Sequence, residues 1–300
     1  MPVQLTWRAA LLLTFPPLMW AGNAVVGRLM SELVSPMTLN LLRWLLAFCI
    51  LLPLAAHVLR PSSAMWPNWR RIALLGLLSV GGYNALLYLA LNTSTPINAT
   101  LVGASMPVWM LLIGRLQYRV AISRRQWLGA ALSIMGVLVV LCRGQLTLLL
   151  QVRLVPGDLY VLLASAAWAS YSWMLARPTT EPAALRADWS AFLLAQVTFG
   201  VLWSMLFTGG EWALGKGHIT WSWPMVGLLV FIAVGPALLA YRAWGAGVRL
   251  AGPAVAGFFV NLTPLFTAML SAAFLGETPQ LFHALAFVLI VGGIVVSSRP

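Results

Sequence analysis

The chain has 300 residues, 61% of them hydrophobic and only 8% charged, with a formal net charge of +12. A soluble domain carries roughly a quarter charged residues, so this chain has too few polar groups to cover itself in water. Seventeen of its eighteen basic residues are Arg, and they lie between apolar runs rather than along one face. That arrangement excludes a nucleic-acid-binding surface and fits the flanks of membrane spans.

Ten apolar segments approach the roughly 20 residues that a helix needs to cross the hydrocarbon core. In chain order they run 9–28, 36–57, 71–92, 96–114, 126–142, 158–176, 189–207, 224–247, 252–275 and 280–298. The first resembles a cleaved leader, since Arg8 precedes it and small residues follow from Ala21 to Ala24. It is read here as a retained helix because Trp20 has a counterpart later in the chain. Cys49 and Cys142 fall within apolar runs and have no metal or disulfide spacing, so both are expected to be packing residues.

Lys and Arg set orientation. Twelve lie on the side of the N-terminus: Arg8, Arg60, Arg70, Arg71, Arg115, Arg119, Arg124, Arg125, Arg177, Arg186, Arg249 and Arg299. Four lie opposite: Arg28, Arg143, Arg153 and Lys216. The bias predicts both termini in the cytoplasm, as an even number of spans requires. Arg43 and Arg242 fall inside spans.

Residues 83–140 slide onto 240–297 without a gap. Pro96 then meets Pro253, Pro107 meets Pro264, and Gly136 meets Gly293. At the start of each half, Trp20-Ala21 is matched by Trp168-Ala169. The chain is therefore expected to divide into residues 1–149 and 150–300. Each half has five spans, an odd number, so the two must enter the membrane in opposite directions. Inverted repeats place a binding site near the midplane between the halves, the arrangement of a transporter that works by alternating access.

These segments resemble the EamA-type drug/metabolite transporters. The resemblance rests on Trp20-Ala21-Gly22-Asn23, Arg43 within LNLLRWLLA, YNALLYLAL followed by Pro107, and residues 252–296 with Pro264, Gly276-Glu277 and a Gly-rich last helix. It implies ten helices, a central cavity and export of metabolites, often amino acids. One departure is that Arg119-Val120 stands where the family often has a first-half Gly-Glu pair.

Polar groups at membrane depth are costly and face a cavity or a partner. Arg43 lies seven residues past Pro36, roughly 10 Å below the outer surface at about 1.5 Å per residue. There it could present a cation to a substrate carboxylate, or snorkel to helix-end carbonyls. For Arg242, snorkelling is the reading. The six acidic residues, Glu32, Asp158, Glu181, Asp188, Glu211 and Glu277, all fall at helix ends or in loops. A cation–proton exchanger needs a buried carboxylate, so a neutral, zwitterionic or anionic substrate is favoured over a cationic one.

Trp66, Trp69, Trp212, Trp221 and Trp223 sit at loop edges as interfacial anchors. Trp20, Tyr83, Tyr88, Trp109, Trp168, Tyr171, Tyr241 and Trp244 lie within spans. With the amides of Asn23, Asn84 and Asn261, some of these should line the cavity. The candidate substrate-binding set is Trp20, Asn23, Arg43, Tyr83, Asn84, Trp168, Tyr171, Tyr241 and Asn261. Gly129, Gly136, Gly292 and Gly293 are expected at close helix contacts. Pro16-Pro17, Pro107, Pro236 and Pro264 should bend helices or free carbonyls. His57, His218 and His283 share no ligand spacing, and no phosphate-binding Gly-x-x-x-x-Gly-Lys-Ser/Thr occurs, so no metal, cofactor or ATP use is expected.

The reading is an all-α secondary transporter of small metabolites such as amino acids, in the cell inner membrane, with the direction of export carried only by the resemblance. Both halves in one chain suit a functional monomer. The alternatives are a multidrug or organic-cation efflux transporter and a non-transporting membrane sensor or subunit. A membrane enzyme would need paired acids or a nucleophile–base pair, and no such constellation is legible.

Overall fold

The computed structural model of the chain describes residues 5–91, 93–94, 96–145, 155–177, 181–275 and 280–299. Among these there is no strand, only an isolated bridge between Val34 and Ile219. The helices are α1 (Trp7–Met30), α2 (Pro36–Ala55), α3 (Trp69–Gly76), α4 (Gly82–Leu91), α5 (Pro96–Gly103), α6 (Met106–Tyr118) and α7 (Arg124–Leu141). They continue as α8 (Pro156–Ala176), the short α9 (Ala183–Ala187), α10 (Trp189–Ala213), α11 (Trp223–Ile232), α12 (Ala240–Val260), α13 (Leu262–Leu275) and α14 (Leu281–Ser298).

Six expected segments form single helices, namely α1, α2, α7, α8, α10 and α14. The other four are interrupted. A π-helical turn, Leu77–Gly81, joins α3 to α4, and a second, Ala233–Leu239, joins α11 to α12. The second contains Pro236, which has no N–H to give to the preceding turn. A turn at Ala104-Ser105 separates α5 from α6, with Pro107 next to it. Asn261 separates α12 from α13, with Pro264 close behind. Within α12, Gly252 takes φ 77° and ψ 154°, a conformation open to glycine, just ahead of Pro253.

By length and composition, eight helical stretches among the described residues are able to cross a bilayer. The longest, Trp223–Val260, runs through the bend at Gly252. Two of the ten expected segments are helical but are not among the eight: 71–92, and 252–275, whose start is continuous with Trp223–Val260 and whose remainder is α13. Large apolar side chains such as Leu11, Leu54, Leu206, Leu285 and Val288 are exposed around the outside of the bundle. An apolar outer surface on a helical bundle is the form of a multi-pass membrane protein. Trp66, Trp69, Trp212, Trp221 and Trp223 are all exposed, as anchors at the interface should be. Cys142 is buried, but Cys49 faces outward, so only the first packs inside. Arg242 is exposed, with its guanidinium 4.5 Å from the Trp189 ring centroid.

Helices α7 and α14 pair closely, as do α2 and α10. At Gly129 and Gly293 the two backbones approach so closely that a Cβ on either would come within 2.7 Å of the other's carbonyl oxygen. The related contact is that of Gly136 with Ala286 and Ile290. Gly292 meets nothing and lies off this interface, contrary to expectation.

The acidic residues act at helix ends. Glu211, in the last turn of α10, accepts from the backbone N–H of Met37 and Thr38 and from the hydroxyls of Ser35 and Thr38. It thus caps α2 from 174 residues away and pairs the donors of its first turn. Asp158 accepts from Val155 N and Ser94 Oγ at the start of α8. Asp188 caps α10, and the Ser190 hydroxyl with the Ser190 and Ala191 N–H groups holds its carboxyl below the ordinary aspartate range, against the opposing effect of desolvation. Glu277 lies outside the described residues.

Two substitutions test this packing by thermal unfolding in detergent. Gly293→Ala should cost about 1–3 kcal/mol by overpacking, whereas Gly292→Ala should leave the midpoint unchanged. Glu211→Ala should cost about 1–3 kcal/mol by leaving the α2 donors unpaired.

Candidate functional site

The helix interruptions have a local consequence. A π turn frees carbonyl oxygens, and in a bilayer each must find a donor. Ser79 O accepts from the Tyr241 hydroxyl at 3.0 Å. Val80 O accepts from the amides of Asn40 and Asn84, each at 3.2 Å. At the α5–α6 break, Ala104 O accepts from Asn261 Nδ2 at 3.2 Å. The same amide also donates to Ser133 Oγ. Polar side chains are thereby drawn to the middle of the bundle.

They border a cavity of about 950 Å³. Its wall includes Trp20, Asn23, Arg43, Tyr83, Asn84, Trp168, Tyr241 and Asn261. Eight of the nine residues expected from the sequence are thus brought together. The ninth, Tyr171, is buried behind the wall, in ring contact with Trp168 at 5.1 Å and with Tyr241 at 6.2 Å. Trp244 is also behind it, donating to Ser172 Oγ. The Tyr88 side chain lies outside the described residues.

Trp168 is the hub of the wall. Its ring lies 5.2 Å from Trp20 edge to face, 5.1 Å from Tyr83, 5.5 Å from Tyr241 and 5.6 Å from Trp244. Edge-to-face and tilted pairs at these distances are favourable beyond their area burial. Arg43 is 5% exposed and projects from α2. It donates to Asn40 Oδ1 at 2.6 Å and to Asn23 Oδ1 at 3.3 Å. Both partners are neutral, and no salt bridge to Arg43 is present among the described residues. The guanidinium is therefore not snorkelling to the surface.

The cavity opens at one end of the bundle, where the exposed Arg143 and Gln280 join its wall with Phe282 and His283. The opposite end is closed. There Tyr118 stacks on Trp173 with centroids 5.1 Å apart, and the Trp173 indole donates to Met110 O. Arg71 pairs with the buried Glu181 and donates to the carbonyls of Met174 and Arg177. Thr100, Ser165, Thr263 and Thr267 also line the wall, and they escape sequence reading because hydroxyls in apolar helices usually bond their own backbone and carry no pattern. Arg143 lies just beyond the expected span 126–142, and the turn after α7 sets it at the mouth.

Trp168→Ala should cost about 3–5 kcal/mol of stability, and Trp168→Phe less, because the hub ring packs against five others, Trp20, Tyr83, Tyr171, Tyr241 and Trp244. Thermal unfolding of the purified protein in detergent reads both.

The chain matches the EamA-like transporter family model over residues 7–142 and again over 155–299. It is 25% identical over 225 residues to an uncharacterized transporter of Bacillus subtilis (strain 168), YyaM, covering 75% of this chain and 71% of that one. It is 24% identical over 294 residues to an uncharacterized transporter of Archaeoglobus fulgidus, covering 96% of each. It is 27% identical over 289 residues to a probable amino-acid metabolite efflux pump of Salmonella typhimurium, covering 93% of this chain and 90% of that one. A solved crystal structure superposes with a TM-score of 0.74 at 21% identity over 96% of each chain, a likeness of fold. With both halves of its length matched, this chain belongs to the EamA-like transporter family.

Proposed function

We propose that the protein is a secondary transporter of small metabolites, amino acids among them, working by alternating access between two inverted five-span repeats, 1–149 and 150–300. The observation that carries this reading is the cavity itself. It is walled by Trp20, Arg43 and Tyr83 from one half and Trp168, Tyr241 and Asn261 from the other. A site shared in this way changes access when one half tilts against the other.

The positions of the irregularities support the repeat. The π turns Leu77–Gly81 and Ala233–Leu239 overlap under a shift of 157 residues, and helices Arg124–Leu141 and Leu281–Ser298 coincide under the same shift. The breaks at Ala104 and Asn261 correspond as well, and those two residues bond each other. Ten crossings follow when 69–91 counts as one and the chain is divided at Gly252. With the arginine bias placing both termini in the cytoplasm of an inner membrane, the open mouth at Arg143 faces outward and the Arg71–Glu181 end faces inward. Turnover then requires the inner closure, including the Tyr118–Trp173 stack, to part as the outer mouth closes. Export is favoured by the Salmonella relative, whose name includes efflux. One chain supplies both halves, so a monomer suffices.

The organic-cation reading is disfavoured because no Asp or Glu lines the cavity among the described residues. Purified protein in liposomes loaded with labelled amino acids, without an ion gradient, tests the proposal. Efflux should exceed that of loaded liposomes without protein and fall by about tenfold or more in Arg43→Gln. Ligand binding without flux would instead identify a sensor, and efflux confined to organic cations would identify a drug transporter.

A further inference from the structure

The polar groups around the cavity are unbalanced in a definite direction. Buried side-chain atoms left without a hydrogen-bond partner include Arg43 Nε, Trp44 Nε1 and Trp168 Nε1, all on residues of the cavity wall. Guanidinium and indole nitrogens can only donate. Native structures rarely leave such groups unpaired, and since these atoms are themselves closed off from the cavity they mark a wall rich in donors rather than a bond waiting for a ligand.

Thr263 Oγ1, also on the wall, is unpartnered too and can donate or accept, whereas backbone carbonyls at two helix breaks are already taken. The carbonyls freed at the helix breaks, Ser79 O, Val80 O and Ala104 O, receive Tyr241, Asn40 with Asn84, and Asn261. Asn40 is fixed in orientation, since its Nδ2 donates to Val80 O and Ser204 Oγ, which leaves Oδ1 for Arg43. The wall carries one guanidinium at depth, a second at the mouth in Arg143, and no carboxylate among the described residues. A buried charge without a counter-charge is costly, and a ligand that supplies one gains what the protein lacks.

Resting on the transporter reading, we infer that the site prefers a monoanionic organic acid, a carboxylate on an apolar or aromatic body without an ammonium group. The carboxylate pairs with Arg43 beside Asn23, and the body lies against Trp20, Tyr83 and Trp168. A zwitterion offers the same carboxylate but brings an ammonium group into a wall with no anion, where only ring faces and neutral oxygens can receive it. The amino-acid scaffold is therefore a weaker ligand than the acid lacking its amino group.

The test compares probes that share one body and differ in charge: phenylpropanoate, phenylalanine and phenethylamine. Binding to the purified full chain is read by isothermal titration calorimetry, and flux of the same probes is read in liposomes. Phenylpropanoate should bind about tenfold or more tightly than phenylalanine, with phenethylamine weakest. Arg43→Gln should remove the preference for the anion, and Arg43→Lys should retain part of it. The probe series on the unaltered protein stands even if a variant does not fold. Equal or tighter binding of phenylalanine overturns the inference, as does failure of phenylpropanoate to bind. Phenylalanine moved without phenylpropanoate leaves the transporter standing and removes this inference. Phenylpropanoate bound but not moved upholds the anion site and removes the transporter reading.

Discussion

The constraint on which the rest of the structure depends is that a backbone carbonyl inside a bilayer has no water to bond. Unbroken helices satisfy this alone. At two of the interruptions, the π turn Leu77–Gly81 and the break at Ala104, side chains supply the missing donors. Tyr241 reaches Ser79 O, Asn40 and Asn84 reach Val80 O, and Asn261 reaches Ala104 O. The interruptions therefore concentrate polar groups in an otherwise apolar bundle, and the cavity lies among them.

The same economy governs charge. Glu211 and Asp158 are spent on helix starts, Asp188 on the start of α10, and Glu181 on Arg71. Each ties together segments remote in sequence or completes a helix end. Arg43 is likewise held by neutral groups, the two amides of Asn40 and Asn23, but with one nitrogen unpaired and with its side chain on the cavity wall. The aromatic cluster around Trp168 gives that position a rigid wall, because indole and phenol rings fill space with few torsions.

Close helix contact is what lets ring and amide meet. Gly129 and Gly293 bring α7 and α14 to backbone distance, and Gly76 and Gly200 do the same for α3 and α10. The second contact sets the π turn at Leu77–Gly81 beside α10, so Asn40 of α2 reaches both Val80 O and Ser204 of α10. Arg119 shows the opposite economy. It closes α6 with φ 55°, the left-handed position that favours glycine. An exposed helix end tolerates that strain, whereas the interior contacts do not.

Composition and hydropathy are enough to show that the chain enters a membrane, where most spans lie, and which residue types are expensive enough there to have a purpose. Hydropathy acts segment by segment, so α1, α2, α7, α8, α10 and α14 are legible without neighbours. Eight of nine candidate residues line the cavity because polar and aromatic groups at membrane depth are few. Tertiary structure alone decided the rest. Tyr171 stands one helical turn from Trp168 in an equally apolar run, and only the packing of α8 against α4 and α12 turns one ring to the wall and the other behind it. Gly292 and Gly293 are neighbours in sequence, yet a helix presents adjacent residues about 100° apart, so one meets Gly129 and the other meets nothing. The π turns carry no periodic mark either, because one extra residue in a helix becomes visible only through the partner that takes its freed carbonyl.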